Sequence, residues 1–123
     1  MLSVIIITRD EAHAIAACLR SVSFADEIVV LDSGSTDDTV AICRAAGARV
    51  EITDWPGFGR QKNRALEHAR GDWVLSLDAD ERVSPALRDA ILGAVAAPGP
   101  NVAFRMPRSS SYLGRPMRHG GWW

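Results

Sequence analysis

Apolar runs alternate with amphipathic stretches along the chain. Large apolar residues are nearly continuous at 2–7, 28–31 and 73–77, as in parallel strands covered on both faces, and 49–52 reads as a short further strand. Residues 102–106 alternate as in a half-exposed strand. Helical spacing of apolar residues separates these runs, so the order is β-α-β-α-β-α-β-α-β. This order predicts an α/β fold with a mostly parallel sheet flanked by helices.

Local signals predict where the helices begin and end. Asp10 or Thr8 is available to cap a first helix that ends near Val22, and Ser35 with Asp38 matches a capping box for the second helix. Residues 55–59 read as a loop before a helix at about 60–70, and Ser84-Pro85 opens the last helix. We expect the stretch after residue 106 to be irregular.

Polar residues follow three of the predicted strands, at 8–11, 32–35 and 78–81. Ligands of parallel α/β sheets bind beyond the carboxyl ends of the strands, so we expect these segments to meet at one site. Carboxylates clustered as at Asp78 and Asp80 are typical of a Mg²⁺ or Mn²⁺ site that shares a substrate's phosphates, although a solvated turn would look similar. With the cation-rich stretch 60–64, they indicate a nucleoside-diphosphate substrate.

Charge and composition narrow the classes of partner. The 123 residues carry a net charge of -1, less basic than a generic nucleic-acid binder, so we expect no nucleic-acid partner. Residues 101–123 hold four arginines and no acid, which favours contact with anionic groups, including a membrane surface. Cys18 and Cys43 lack metal-type spacing and read as buried reduced thiols. The apolar start is too short for a signal peptide or membrane span, so we expect a cytoplasmic protein, with possible peripheral membrane contact.

The chain resembles the family 2 glycosyltransferases. Segments 3–11, 28–37, 62–65 and 71–80 match the family's motifs in order, so the resemblance covers essentially residues 2–82. It implies a GT-A (nucleotide-diphospho-sugar transferase, Rossmann-like) fold. More narrowly, segments 54–59, 78–82 and 119–122 are similar to the lipopolysaccharide core β-1,4-glucosyltransferase group. The implied activity is hexosyl transfer with inversion from a nucleotide-diphospho-sugar, such as a UDP-sugar, to a saccharide or lipid-linked acceptor.

The resemblance also implies a donor site. Thr8 and Glu11 would line the nucleotide pocket, Asp32 would bind the uracil or ribose, and Lys62 would face the nucleotide or diphosphate. Asp78 would bind the ribose or the metal.

The same resemblance implies a metal and an acceptor region. Asp80, with Asp78, would coordinate Mg²⁺ or Mn²⁺, and His119 and Trp122 would lie near the acceptor or donor sugar. The general base that deprotonates the acceptor in an inverting transfer would come from beyond residue 123. We therefore expect a single donor-binding domain over 1–123, incomplete at its C-terminus, that binds a nucleotide sugar but transfers slowly or not at all.

Two alternatives stay open at this stage. A phosphatase of the haloacid dehalogenase type also places Asp-x-Asp after an apolar strand, but normally the first strand rather than the fourth. A non-catalytic module would bind a nucleotide sugar without turnover.

Overall fold

A mixed six-stranded sheet organises the fold. The computed structural model describes residues 1–96, 103–105 and 112–115. Within them the strands and helices follow in the order β1 (Leu2–Thr8), α1 (Ile15–Ser21), β2 (Glu27–Asp32), α2 (Thr39–Ala45), β3 (Arg49–Ile52), α3 (Phe58–His68), β4 (Trp73–Asp78), α4 (Pro85–Ala96), β5 (Ala103–Arg105) and β6 (Tyr112–Gly114). The strand order across the sheet is β3-β2-β1-β4-β6-β5. Strands β1 to β4 are parallel and β6 pairs antiparallel with β4 and β5, so the prediction of a mostly parallel sheet is confirmed.

The two faces of the sheet are covered by different helices. Residues of β1 alternate between them: Val4 and Ile6 pack in the cluster that includes α1, α2 and α4, whereas Ile5 packs with Ala65 and Leu66 of α3. Burial on both faces explains why the strands read as continuous apolar runs. Cys18 and Cys43 are buried free thiols, as predicted, and burial is the main reason that the pKa of Cys18 rises to about 12.

The structure corrects the predicted start of two helices. The first helix begins at Ile15 with no side-chain cap, because the amides of Ala14 and Ile15 both donate to the carbonyl of Glu11 in a preceding turn. Neither Thr8 nor Asp10 caps it. The third helix begins at Phe58 inside the predicted loop, since Gly57 enters it with a φ of 107° and its carbonyl accepts the first helical bond, from Gln61.

Two further predictions are wrong. Ser35 and Asp38 form no capping box, because the second helix begins at Thr39 without a side-chain cap and Ser35 bonds elsewhere. Residues 112–114 were expected to be irregular but form β6, paired with β4 through the register of Leu75 with Leu113. The predicted cap at Ser84 is confirmed, since its hydroxyl accepts from the amide of Leu87 at 3.1 Å.

Parts of the prediction lie outside the described residues. They are the end of the fourth helix at 98–100 and most of the stretch after 105, with His119 and Trp122. Within the described ranges, no helix combines the length and the apolar character needed to cross a membrane.

Candidate donor-binding site

The three polar strand ends meet at one edge of the sheet. Thr8 lies beside Asp32 in the β1–β2 register, and Ile7 lies beside Asp78 in the β1–β4 register. A cavity of about 350 Å³ lies over this edge. The residues that line it are Ile7, Thr8, Arg9, Glu11, Ser33, Trp55, Phe58, Lys62, Asp78, Ala79 and Asp80.

Five of the predicted site residues line this cavity: Thr8, Glu11, Lys62, Asp78 and Asp80. Asp32 does not. It is fully buried, and its carboxylate accepts hydrogen bonds from the hydroxyls of Thr8 at 2.7 Å and Ser35 at 2.5 Å. The amides of Gly34 and Ser35 donate to its other oxygen. Asp32 therefore holds Thr8, a lining residue, from beneath the cavity.

The protonation of Asp32 follows from these bonds. Burial alone would raise the pKa of its carboxyl, but the hydrogen bonds from Ser35, Thr8 and Gly34 outweigh burial and lower the pKa below its usual range. Asp32 is therefore a buried carboxylate that stays ionised. Its charge is compensated by donors from the last residue of β1 and from the loop that follows β2.

The loops that follow β1 and β2 are joined by reciprocal hydrogen bonds. The amide of Asp10 donates to the Ser35 hydroxyl at 2.8 Å, and the Asp10 carboxylate accepts from the amides of Thr36 and Asp37. Glu11 donates its amide to Thr39 at 2.8 Å. Asp10 has a φ of 53°, a conformation that aspartate tolerates better than most residues. These bonds fix the backbone of the loop that places Arg9 and Glu11 at the cavity wall.

Negative charge accumulates on the cavity wall near Asp80. Burial is the largest cause of a raised pKa at Glu11, and the carboxylates of Asp80, Asp37 and Asp10 raise it further while His13 lowers it. A bound cation would relieve this repulsion.

Two carboxylates flank Ala79: that of Asp78 at the end of β4 and that of Asp80 in the loop that follows. Among the described residues no group of three or more His, Cys, Asp or Glu side chains could hold a metal alone. Two carboxylates suit Mg²⁺ or Mn²⁺, because these ions keep water and substrate phosphate in the remaining positions. Glu81 braces the loop instead: its carboxylate accepts from the amide of Asp78 at 2.8 Å, and its own amide donates to the Asp78 carbonyl.

The polar residues of helix α3 lie in different surroundings. Gln61 is buried and donates to the Thr53 hydroxyl at 2.7 Å, and Arg64 pairs with Asp54 at 2.6 Å. Lys62 instead lines the cavity. The site therefore combines a lysine with two carboxylates, a set that can hold a diphosphate together with a divalent cation.

Six lining residues were not among the predicted site residues: Ile7, Arg9, Ser33, Trp55, Phe58 and Ala79. Arg9 and Ser33 lie within strand ends that had been singled out, so their positions alone could have indicated them. Trp55 and Phe58 lay in a stretch that was interpreted as a loop and as part of the narrower family resemblance, but neither residue was given a role in the site.

The fold and this cavity define a class of protein. The sequence matches the model of glycosyl transferase family 2 over residues 3–122, and the chain belongs to that family. The fold is of the GT-A type, as predicted from the sequence.

Relatives and solved structures make the comparison more specific. The chain is 46% identical over 91 residues to an uncharacterized glycosyltransferase of Rickettsia felis, covering 73% of this chain and 32% of the relative. It is 36% identical over 118 residues to the lipopolysaccharide core biosynthesis glycosyltransferase LpsC of Rhizobium meliloti, covering 92% of this chain and 44% of LpsC. The chain thus spans from about a third to under half of these relatives' length.

A solved structure agrees with the observed fold. Glucosyl-3-phosphoglycerate synthase of Mycobacterium tuberculosis, in complex with UDP, aligns with a TM-score of 0.77 and 25% identity. The alignment covers 94% of this chain and 56% of the synthase chain. The family assignment leaves no support for the dehalogenase-type phosphatase.

Proposed function

We propose that residues 1–123 form the donor-binding part of a glycosyltransferase that uses a nucleoside-diphospho-sugar, most simply a UDP-hexose, and a divalent cation. The observation that carries this proposal is a single cavity at the carboxyl ends of the strands that brings Lys62 together with Asp78 and Asp80. Similarity to LpsC and to a synthase solved with UDP supports the donor class and a saccharide or lipopolysaccharide-core acceptor.

In the proposed reaction an acceptor hydroxyl attacks the anomeric carbon, and the bond from that carbon to the diphosphate oxygen breaks with its electron pair. The diphosphate leaves, the acceptor proton passes to a general base, and the configuration inverts. A cation bound by Asp80 and Asp78 would neutralise charge on the leaving diphosphate. Lys62 donates to the same phosphates, which stabilises the charge that develops as the bond breaks.

The remaining residues of the site position the donor. Thr8 and Glu11 line the nucleotide pocket in this proposal, with Asp32 fixing the rotamer of Thr8 through their hydrogen bond. Direct contact of Asp32 with uracil or ribose stays a prediction, as do the roles of His119 and Trp122. We place the general base outside residues 1–123, and the chain as one donor-binding domain of a longer enzyme.

The compartment is also a proposal. Two buried cysteines remain free thiols, which suits a reducing compartment, so we propose the cytoplasm. Peripheral contact with the membrane would suit a lipid-linked acceptor, and much of the arginine-rich tail that favours it, including Arg108 and Arg118, lies outside the described residues.

Calorimetric titration of the chain with UDP-glucose in the presence of Mn²⁺ tests this proposal. Loss of the lysine in Lys62→Ala should weaken binding about 10-fold, because a charge-assisted hydrogen bond to phosphate is removed. Arg60→Ala is the matched control, since Arg60 is an exposed cation of the same helix outside the cavity lining. An equal loss in both variants, or none in Lys62→Ala, would contradict the proposed diphosphate position.

A further inference from the structure

Two exposed aromatic residues stand at one side of the cavity. Trp55 follows β3 and Phe58 opens α3, and both line the cavity. Their ring centroids lie 4.9 Å apart with the planes at 88°, an edge-to-face contact. Trp55 is 43% exposed and Phe58 71% exposed. Each ring therefore keeps a large apolar surface open to a ligand while the other ring holds it in place.

The sheet order separates these rings from the acidic residues. Asp78 ends β4 and Asp80 follows it, whereas Trp55 follows β3, and β1 and β2 lie between these strands. Three strand spacings correspond to about 14 Å. Thr8 and Ser33 line the cavity at the ends of the two strands between. The cavity thus runs from carboxylates, past hydroxyl groups, to aromatic rings, which matches the order of diphosphate, ribose and base in a nucleotide.

Helix α3 links the aromatic side to the diphosphate. Phe58 and Lys62 are four residues apart in this helix and therefore share one of its faces. A diphosphate held by Lys62 and a cation at Asp80 would leave the nucleoside directed towards β3. The sugar would then lie on the β4 side, where the sheet continues to β6 and β5 and offers surface beside an acceptor.

We infer that Trp55 and Phe58 form the contact surface for the planar base of the donor nucleotide. Aromatic side chains bind bases by stacking, and the contribution of one stack is large enough to measure. This inference rests on the proposed function, because it takes the diphosphate to lie between Lys62 and Asp80. The acceptor sugar and a lipid surface are the other occupants that the test must separate.

The test compares ligands that share the diphosphate and differ in the base. UDP and inorganic pyrophosphate are titrated by calorimetry in the presence of Mg²⁺ into the unaltered chain, Trp55→Ala, Phe58→Ala and the double variant. UDP-glucose and anionic lipid vesicles are titrated in parallel to detect the other occupants. We expect each variant to lose about 5- to 100-fold in UDP affinity and to keep the pyrophosphate affinity. Trp55→Phe should retain most of the UDP affinity. Ile52→Ala, a 59% exposed residue at the end of β3 outside the cavity lining, is the matched control and should change neither ligand.

Each contrary outcome has a distinct meaning. Unchanged UDP affinity in a double Trp55→Ala, Phe58→Ala variant overturns the inference. A loss confined to UDP-glucose, with UDP unaffected, assigns the rings to the sugar and overturns it as well, as does a loss confined to binding of anionic lipid vesicles. Binding of pyrophosphate with no preference for UDP contradicts the base contact and leaves the diphosphate site standing. Binding of neither ligand by the unaltered chain contradicts both proposals.

Discussion

Each end of the parallel strands holds a carboxylate that accepts several hydrogen bonds. At the amino ends, Glu27 accepts from the Ser3 hydroxyl at 2.6 Å and from the Arg70 amide at 2.5 Å, and Arg49 lies 3.6 Å away. At the carboxyl ends, Asp32 is likewise held by side-chain and backbone donors. In both cases the hydrogen bonds outweigh burial and lower the pKa of the carboxyl.

The difference lies in what covers each carboxylate. The partners of Glu27 form further hydrogen bonds within the protein. The Arg49 guanidinium also donates to the carbonyl of His68, and the Gly71 amide donates to the Ser3 hydroxyl. The network around Asp32 lies below a second layer, in which Glu11 and Asp80 face a cavity. Carboxylates with lowered pKa values therefore occur at both ends, and only the second layer marks one end as the candidate binding site.

The largest effect on stability is expected at the amino ends. Glu27→Ala removes the acceptor of two hydrogen bonds and the partner of Arg49, so it should lower the free energy of unfolding by about 3 kcal/mol. Urea denaturation at neutral pH measures the change. Glu51→Ala, an exposed acid in β3, is the control and should shift stability by no more than about 0.5 kcal/mol. If Glu27→Ala is as stable as this control, the hydrogen bonds of Glu27 do not stabilise the amino ends of the strands.

Close packing at the same end gives a second prediction. A Cβ on Gly71 would lie 2.7 Å from the Ser3 hydroxyl and 2.8 Å from the Met1 carbonyl, so Gly71→Ala should cost about 1–3 kcal/mol. Gly93→Ala is the matched control, because a Cβ there meets no atom within 4 Å and alanine favours the helix. It should stabilise the chain by up to about 1 kcal/mol. If both substitutions changed the free energy of unfolding in the same direction, the close packing of Gly71 against Ser3 and Met1 would be contradicted.

The pH dependence of Asp32 should follow its lowered pKa. A carboxyl with a lowered folded-state pKa stabilises the fold above its unfolded pKa of about 3.9, and this stability is lost as the pH falls through the folded pKa. The stability difference between the unaltered chain and Asp32→Asn should therefore be full at pH 6 and shrink below pH 4. Urea titrations from pH 6 to pH 2.5 measure it. A difference independent of pH would show that ionisation of Asp32 is irrelevant.

Glu11 should show a smaller effect of the opposite sign. Its raised pKa means that ionisation in the folded state is disfavoured, so the penalty appears as the pH rises through the folded pKa. Glu11→Gln should gain stability relative to the unaltered chain between pH 4 and pH 7. The same urea titrations check this, and a parallel pH profile for the two proteins would contradict the charge accumulation at the cavity wall.

The parallel core was predicted well from the sequence, because strands buried on both faces appear as continuous apolar runs. The apolar runs at 2–7, 28–31 and 73–77 lie within β1, β2 and β4. The motifs at the strand ends then located most of the site, since parallel topology brings their carboxyl ends together.

Other features depend on contacts that a local pattern does not contain. Ser35 matches a capping box with Asp38, yet its partners are Asp32 and the amide of Asp10, 25 residues away. Strand β6 has three residues and acquires its conformation from pairing with β4. The place of Trp55 and Phe58 at the cavity depends on how α3 packs over the sheet, which no local motif encodes.

The most direct test of the donor site compares acids at the two ends of β4. Asp80 lies at the cavity after the strand, whereas Asp72 precedes the strand and pairs with the N-terminal amine at 3.4 Å. We predict that Mn²⁺ raises UDP affinity at least about 10-fold in the unaltered chain and in Asp72→Asn, and that this enhancement disappears in Asp80→Asn. An enhancement that survives in Asp80→Asn, or that is absent from the unaltered chain, would contradict a metal-assisted diphosphate site at this edge of the sheet.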